Sequence, residues 1–384
     1  MKYLGRIFRI IVGLVFIFSG FVKSVDPFGT AYKITEYFGA FGLIDIINFM
    51  PWLPIILSIF LCSLELIIGI LLVLGYFKKS VNWLVGLMML FFTVITLIDA
   101  LTNKVSDCGC FGDAIKLTNW QTFWKNIILD ILLILSFIFD KLKLSPPINR
   151  SYGRLIGGFV ILMVLCFSSL NAVYEPIIDF RPWKEGNRMV PKAEDQKPPV
   201  SYALYKNNNT SLEREFGMEE LMKAYEEDPN FISNWTFISS RVLNTNTIAA
   251  DGFSMIGVLN DHDQSFEILS HPGTSFIFTI VNLDSPSKKA IQKIAKFEKE
   301  ATNHGCQTAI ITASSVKKWA EFTEKHNWNN VLMYSTDDKA IETMMRSNPG
   351  VVMIKDGVVQ KKWSWRCLPD FKDLKIEKQE PIQE

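Results

Sequence analysis

Five apolar runs crowd into the first 175 residues of this 384-residue chain, at about residues 7 to 22, 52 to 77, 82 to 103, 121 to 139 and 154 to 174. A hydrocarbon core about 30 Å thick takes about 20 helical residues to cross, so each run approaches the length of a membrane span. Within that core the backbone must satisfy its own hydrogen bonds, which makes runs of this kind helices. The composition agrees: 49% of residues are hydrophobic, 21% are charged and the mean hydropathy is +0.18, unusual for a chain made only of soluble domains. Forty Lys and Arg against 39 Asp and Glu leave a net charge of +1, with no general attraction to nucleic acid. The first run follows Lys2, Arg6 and Arg9, as a signal sequence would, but no A-x-A-like cleavage site comes after it. Its end, Ser19-Gly20-Phe21-Val22-Lys23 and then Asp26-Pro27, reads as a helix that snorkels Lys23 to the interface and turns.

Basic residues accumulate on the cytoplasmic side of short connections. Lys2, Arg6, Arg9, Lys78, Lys79, Lys141, Lys143, Arg150 and Arg154 fall on one side; Lys23, Lys33, Lys104 and Lys116 fall on the other, with Lys125 at a helix edge. The count places the amino terminus inside and everything after about residue 175 outside, and cleavage of the first run would not change that. The expected setting is an inner, cytoplasmic membrane with a periplasmic carboxy-terminal region.

Between the third and fourth runs, on the outer side, stands Asp107-Cys108-Gly109-Cys110-Phe111-Gly112-Asp113. Thiols there face a compartment where disulfides persist. A bridge across one residue is possible but strained, and Gly109 supplies the backbone freedom it needs. Strained, exposed disulfides are labile, so the pair suits exchange of electrons or thiols. Two other roles fit as well: a structural clip on a short loop, or two soft ligands to copper or zinc. Asp107 and Asp113 oppose thiolate formation by their charge. Glu65 lies in the middle of the second run and Asp130 well inside the fourth, where an ionised side chain costs at least about 2.5 kcal/mol. Each is expected to have a partner. They are candidate proton carriers, or else protonated groups that hydrogen-bond between helices. Asp99 is placed nearer to water.

Cys108-Gly109-Cys110-Phe111-Gly112, set between the last two helices of a four-helix membrane unit, resembles the DoxX-like superfamily and, within it, the methylamine-utilisation MauE-type proteins. Arg9, Gly13, Phe16, Ser19, Gly20, Lys23 and Asp26-Pro27 are similar to the opening signature of DoxX proteins, and Glu65, Gly69 and Gly75 to their second helix. The resemblance covers about residues 5 to 140. It implies a link to maturation of a disulfide-rich periplasmic dehydrogenase, or to quinone-linked sulfur oxidation, and so a membrane quinone as a cofactor. No companion motif of either pathway accompanies it.

After the fifth run, Pro182, Pro191, Pro198 and Pro199 with a run of charges mark an exposed linker over about 175 to 200. An Asn-rich turn, a charged helix-like stretch over 211 to 227 and an apolar run at 235 to 238 follow. From about residue 252 strands and helices alternate: strands are predicted at 276–282, 308–312 and 331–334, and helices at 286–303, 316–326 and about 338–345. Pro349 then opens an apolar strand that Asp356-Gly357 turns into a hairpin. This stretch resembles the end of a thioredoxin-like domain, with Pro349 as its cis-proline, over about residues 270 to 370. Where that family keeps Cys-x-x-Cys, this chain has Asp284-Ser285-Pro286-Ser287. The resemblance therefore implies a domain that binds a partner, near Pro349, Asp284 and Ser287, without exchanging thiols itself.

Cys306 and Cys367 either pair or remain free thiols, and Cys62 and Cys166 lie in apolar runs as packing residues. His262, His271, His304 and His326 have no metal or triad spacing. The expected architecture is an α-helical membrane bundle (residues 1–150, with a fifth span at 151–175), a linker and irregular α+β segment (176–251), and an α/β thioredoxin-like domain (252–384). The expected function is thiol-disulfide or electron transfer through Cys108 and Cys110, with a periplasmic or envelope protein as partner. The rival is a non-enzymatic membrane scaffold or assembly factor.

Overall fold

The computed structural model describes residues 3–75, 78–105, 108–139, 150–192, 195, 200–243, 248–250, 252–257, 262–326, 328, 331–376 and 378. Asp107, Lys141, Lys143, Pro198 and Pro199 lie outside the described residues, as do the side chains of Lys78, Lys79, Arg150 and Arg154. The chain forms two units, Met1–Arg181 and Pro182–Glu384.

The first unit is helical: α1 (Leu4–Val25), α2 (Pro27–Ala40), α3 (Ile44–Phe49), α4 (Leu53–Leu74), α5 (Lys78–Thr102), α6 (Asn119–Phe139) and α7 (Arg150–Val173). Of these, α1, α4, α5, α6 and α7 are long and apolar enough to cross a membrane, which makes this a multi-pass membrane protein. Their outward faces carry Leu14, Phe60, Leu90, Ile128 and Phe159, all exposed, while Val12, Phe16, Ile68, Leu72, Val85, Met89 and Leu129 fill the interior. A helix apolar on every side is stable only where its surroundings are apolar too.

Two glycines set the crossing of α1 and α4. A Cβ on Gly20 would stand 2.5 Å from the Leu66 backbone nitrogen, and one on Gly69 2.6 Å from that of Ile17. In lipid, helices associate through such close backbone approach. The crossing puts Lys23, one turn beyond Gly20, beside Glu65. At Asp26-Pro27 the expected turn is also a helix start: Asp26 Oδ1 accepts from the Gly29 N–H at 3.1 Å and Pro27 occupies the first turn, where its missing N–H costs nothing. The resulting helix α2, amphipathic and too short to span, is not evident from the sequence.

The second unit contains an antiparallel sheet in the order β2-β1-β3, formed by β1 (Val200–Asn207), β2 (Glu213–Gly217) and β3 (Trp235–Leu243). Helices α8 (Met218–Glu227) and α9 (Phe231–Asn234) lie between β2 and β3 in the chain, so the stretch expected to be helix-like begins as a strand. Then follow β4 (Ile256–Gly257), α10 (Ser265–Leu269), β5 (Thr274–Thr279), α11 (Lys288–Asn303), β6 (Gln307–Thr312), α12 (Val316–His326), β7 (Met333–Ser335), α13 (Asp338–Met344), β8 (Gly350–Lys355) and β9 (Val358–Ser364). They build a mixed sheet in the order β4-β7-β6-β5-β8-β9, with β5, β6 and β7 parallel and β8 and β9 antiparallel.

Alternation along each strand feeds two cores. Ile277, Ala309, Ile311 and Val352 enter one; Phe276, Phe278, Ile310 and Val351 enter the other. The segment expected to be an exposed linker is in part core: Trp183, Met189 and Val190 are buried in the first of these clusters. Gly186 N–H donates to Val359 O and Met189 N–H to Gly357 O, both at 2.8 Å, so this segment covers the free edge of β9. Its prolines and charges conceal that role in the sequence.

Candidate functional site

The Cys108–Cys110 loop is held to the helices below it at several points. Gly109 and Gly112 take left-handed backbone angles, φ +63° and +51°, and Gly112 N–H donates to Gly109 O at 3.0 Å. Ser19 Oγ of α1 donates to Cys110 O at 2.5 Å, and Asn119 Nδ2, at the start of α6, donates to Val105 O at 3.0 Å. The Phe111 ring lies 5.4 Å from that of Phe18 and 4.6 Å beneath Lys125 Nζ. The two cysteines are free thiols with their sulfurs 3.3 Å apart.

The sulfurs face different surroundings. Cys108 lines a cavity of about 360 Å³, with Lys23, Tyr37, Cys62, Glu65, Phe92 and Ile95 among its other walls. Cys110 faces a separate void of about 20 Å³ shared with Lys23, Glu65, Lys125 and Asn126. The hydrogen bond with Cys108 and the Lys125 and Lys23 ammonium groups together hold the Cys110 thiol below its ordinary range although burial opposes this. The same hydrogen bond, burial and the adjoining sulfur charge push Cys108 well above the usual thiol range, so that it keeps its proton. The expectation that neighbouring aspartates oppose a thiolate is thus reversed at Cys110. The cations come from α1 and α6, outside the loop itself.

Lys23 does not snorkel. Its Nζ donates to Glu65 Oε2 at 2.8 Å, both side chains are buried, and the ammonium also lies 5.3 Å from the Phe92 ring centre. Glu65 therefore has the partner expected of an intramembrane carboxylate, and the pair borders both the cavity and the small void. Asp130 accepts from Thr93 Oγ1 at 2.7 Å, within the bundle and away from the cavity lining. Asp99, expected near water, is buried and accepts the Tyr37 hydroxyl. Tyr37, on α2, lines the cavity together with Cys108, and burial chiefly raises its hydroxyl above the usual phenol range.

Beyond α7, Pro176, Ile178 and Phe180 complete the cavity wall. Ile177 N–H donates to Asn171 Oδ1 at 3.1 Å, and Arg181 binds Asp179 at 2.7 Å and Glu175 at 3.1 Å, which fixes this turn. Among the described residues no group of three His, Cys, Asp or Glu side chains converges to hold a metal.

Residues 1–139 match the family model described as "Methylamine utilisation protein MauE". The MauE match takes in α1 to α6, and so Lys23, Glu65, Cys108, Cys110, Lys125 and Asp130, and stops short of α7 and the 176–181 turn. The chain is also similar to "Protein TlpB" of Flavobacterium psychrophilum, 28% identical over 185 residues, 47% of this chain and 47% of that protein. The chain thus spans about half the length of the curated relative it matches.

In the soluble unit, the residues picked from sequence lie near one end of β5. The Asn348–Pro349 peptide is cis; Asn348 Nδ2 donates to Ser285 Oγ at 2.6 Å and its Oδ1 accepts from Val281 N–H at 3.1 Å. Ser287 caps α11 by accepting the Ala290 N–H at 3.2 Å, and Asp284 pairs with Lys318. Cys306 is buried and Cys367 exposed, both as free thiols. Sequence reasoning misses Tyr37, and it passes over Lys23 and Lys125 as interface lysines. The available signal is that Lys125 stands within an apolar run and Lys23 directly at the end of one, where a charge drawn into the bundle needs a partner.

Proposed function

We propose that this chain is an inner-membrane thiol-disulfide or electron-transfer protein whose Cys108–Cys110 pair works on the periplasmic face. The observation that carries the reading is the pair itself: two thiols 3.3 Å apart, one at a cavity wall and one against two lysines. The excess of Lys and Arg in the opposite connections supports the orientation. The match to the MauE family supports membership of the wider DoxX-like group. The soluble unit is, on this reading, thioredoxin-like and binds a partner protein through the region of Pro349, Asp284 and Ser287; the order of its sheet supports the fold.

When the S–S bond forms, Cys108 and Cys110 together give up two electrons and whatever protons the two sulfurs carry. The cavity suits an apolar acceptor of the quinone class: its volume of about 360 Å³ falls among small-molecule sites, and Leu57, Leu61, Phe91, Phe92 and Ile95 line it. A bound quinone supplies acceptance of two electrons and two protons. Lys23, whose ammonium keeps donors beyond the one given to Glu65, would hold one of its oxygens, and Cys108 is the sulfur that would face it. Glu65, beside both sulfurs, is the nearer proton carrier; Asp130 stands about 16 Å further along α6 from its first residue.

The test is a redox titration of the full-length protein in lipid nanodiscs, with the Cys108–Cys110 peptide read by mass. Reversible conversion between dithiol and disulfide is the expected result. A pair that stays bridged at every accessible potential marks a structural clip. That outcome would favour the second reading, a non-enzymatic scaffold or assembly factor. One observation speaks for it: Ser287 and Asp284 are engaged in a helix cap and an ion pair.

A further inference from the structure

We infer that Lys23 and Lys125 form a cationic cradle that keeps Cys110 as the thiolate, which makes Cys110 the resolving sulfur for a bond that Cys108 forms at the cavity. The inference rests on the thiol-exchange reading above and assigns the two sulfurs unequal roles within it.

Three features of the geometry carry it. First, the lysines approach from two helices, α1 and α6, and both border the 20 Å³ void into which Cys110 faces. Second, one of the two carries a charge that no carboxylate among the described residues meets. Lys23 is fixed in place by Glu65 at 2.8 Å, and Lys125 sits 4.6 Å over the Phe111 ring, with no ion pair to a carboxylate among the described residues. A half-buried ammonium at the edge of a membrane helix needs a counter-charge, and a Cys110 thiolate supplies one. Third, the cavity opens to Cys108 and not to Cys110. An incoming group therefore meets Cys108 first.

Each helix around Cys110 contributes to its surroundings. α1 brings Lys23 and Ser19, α4 brings Glu65, α5 brings the uncharged Met89 and Phe92, α6 brings Lys125 and Asn126, and the loop brings Cys108. Glu65 opposes a thiolate, but its charge is met by Lys23 at contact distance. Lys125 is left as the uncompensated cation. The resulting step is balanced: an external thiolate attacks the Cys108 sulfur of the Cys108–Cys110 bond and Cys110 leaves as a thiolate; in the return step the Cys110 thiolate attacks the Cys108 sulfur, the Cys108–Cys110 bond re-forms, and the external group leaves as a thiolate. No proton has to be removed from Cys110 during the attack. In this role Lys23 and Lys125 are positioning residues, acting through the sulfur they flank.

The experiment follows alkylation of the reduced, full-length protein in nanodiscs by iodoacetamide across pH 5 to 10, with Cys108 and Cys110 resolved by peptide mass. Lys125→Gln is expected to move the Cys110 midpoint upward by about one pH unit, about tenfold slower alkylation on the acid side of the curve, while Lys125→Arg restores it. Lys23→Gln should move it the same way. Because Lys23→Gln leaves Glu65 buried without its partner and can unfold the bundle, the half-buried Lys125 is the deciding position. A folded Lys125→Gln protein with the wild-type profile overturns the cradle. The role assignment is read separately, by adding oxidised glutathione to single-cysteine variants. Cys110→Ser should accumulate the mixed disulfide at Cys108; preferential accumulation at Cys110 in Cys108→Ser reverses the assignment. If the wild-type pair fails the redox titration while the alkylation profile responds to Lys125, the exchange reading falls and the cradle stands. If the pair cycles while the profile ignores Lys125, exchange stands and the cradle falls.

Discussion

The two units bury polar groups to different ends. In the membrane unit, Lys23, Glu65, Asp99, Tyr37 and two thiols from five separate parts of the chain converge around one cavity and one loop. In the soluble unit, the buried Glu298 accepts from Trp328 Nε1 at 3.0 Å and from Thr302 Oγ1 at 2.8 Å, and thereby ties α11 to the segment after α12. The surrounding medium explains the contrast. In a lipid-facing bundle each ionised group is costly, so a concentration of them marks a site of chemistry. In a domain surrounded by water and filled with Phe276, Phe278, Phe297 and Phe371, a satisfied buried carboxylate is part of the packing. The backbone follows the same division: α1 and α4 meet through glycines, whereas the mixed sheet is clothed by large side chains on both faces.

The sharpest way to break this comparison is to remove the thiols. Cys108→Ser with Cys110→Ser should abolish exchange while the helical content and thermal transition of the membrane unit persist; Cys367→Ser, in the soluble unit, should leave exchange at the wild-type rate. Unfolding of the double variant would show the pair to be a clip. Next in size is Glu65→Gln, which strands Lys23 in the bundle and should destabilise it by about 3–5 kcal/mol in a denaturant titration. Replacing both partners, as in Lys23→Met with Glu65→Leu, should recover most of that loss; an equal loss in both would mean the pair contributes little as a pair. Phe276→Ala should cost the soluble unit about 3–5 kcal/mol through the cavity it leaves, with the pH profile of Cys110 alkylation unmoved. A shifted profile would show that the two units do not behave independently. Smallest of all, Thr93→Val deprives Asp130 of its donor and should cost about 1–2 kcal/mol of bundle stability.

Much of the architecture is legible in the residues. The five spans follow from apolar length, and α12 (Val316–His326) has the bounds its periodicity predicts. The Asp356-Gly357 hairpin is readable because both positions need positive φ, 48° and 75°, which that dipeptide tolerates. The helix α2 escapes notice because Asp-Pro reads equally as a turn and as a capped helix start, and its apolar face is too short to stand out beside true spans. Within the site, Cys108 and Cys110 are visible as a motif and Glu65 as a misplaced charge. Lys125 is not, since a lysine near a span end is ordinarily a solvated anchor.

What the sequence determined alone is whatever depends on neighbours along the chain: which segments are apolar enough to enter lipid, where strands alternate, and that two thiols share one loop. Only the tertiary structure decided that Glu65 answers Lys23 across 42 positions, that Tyr37 joins Asp99 across 62, and that Lys125 borders the void at Cys110 and not the cavity at Cys108. The reason is geometric. Hydropathy and periodicity are sums over adjacent residues, whereas a charge's partner is chosen by where two helices cross, and here that crossing is set by the missing side chains of Gly20 and Gly69.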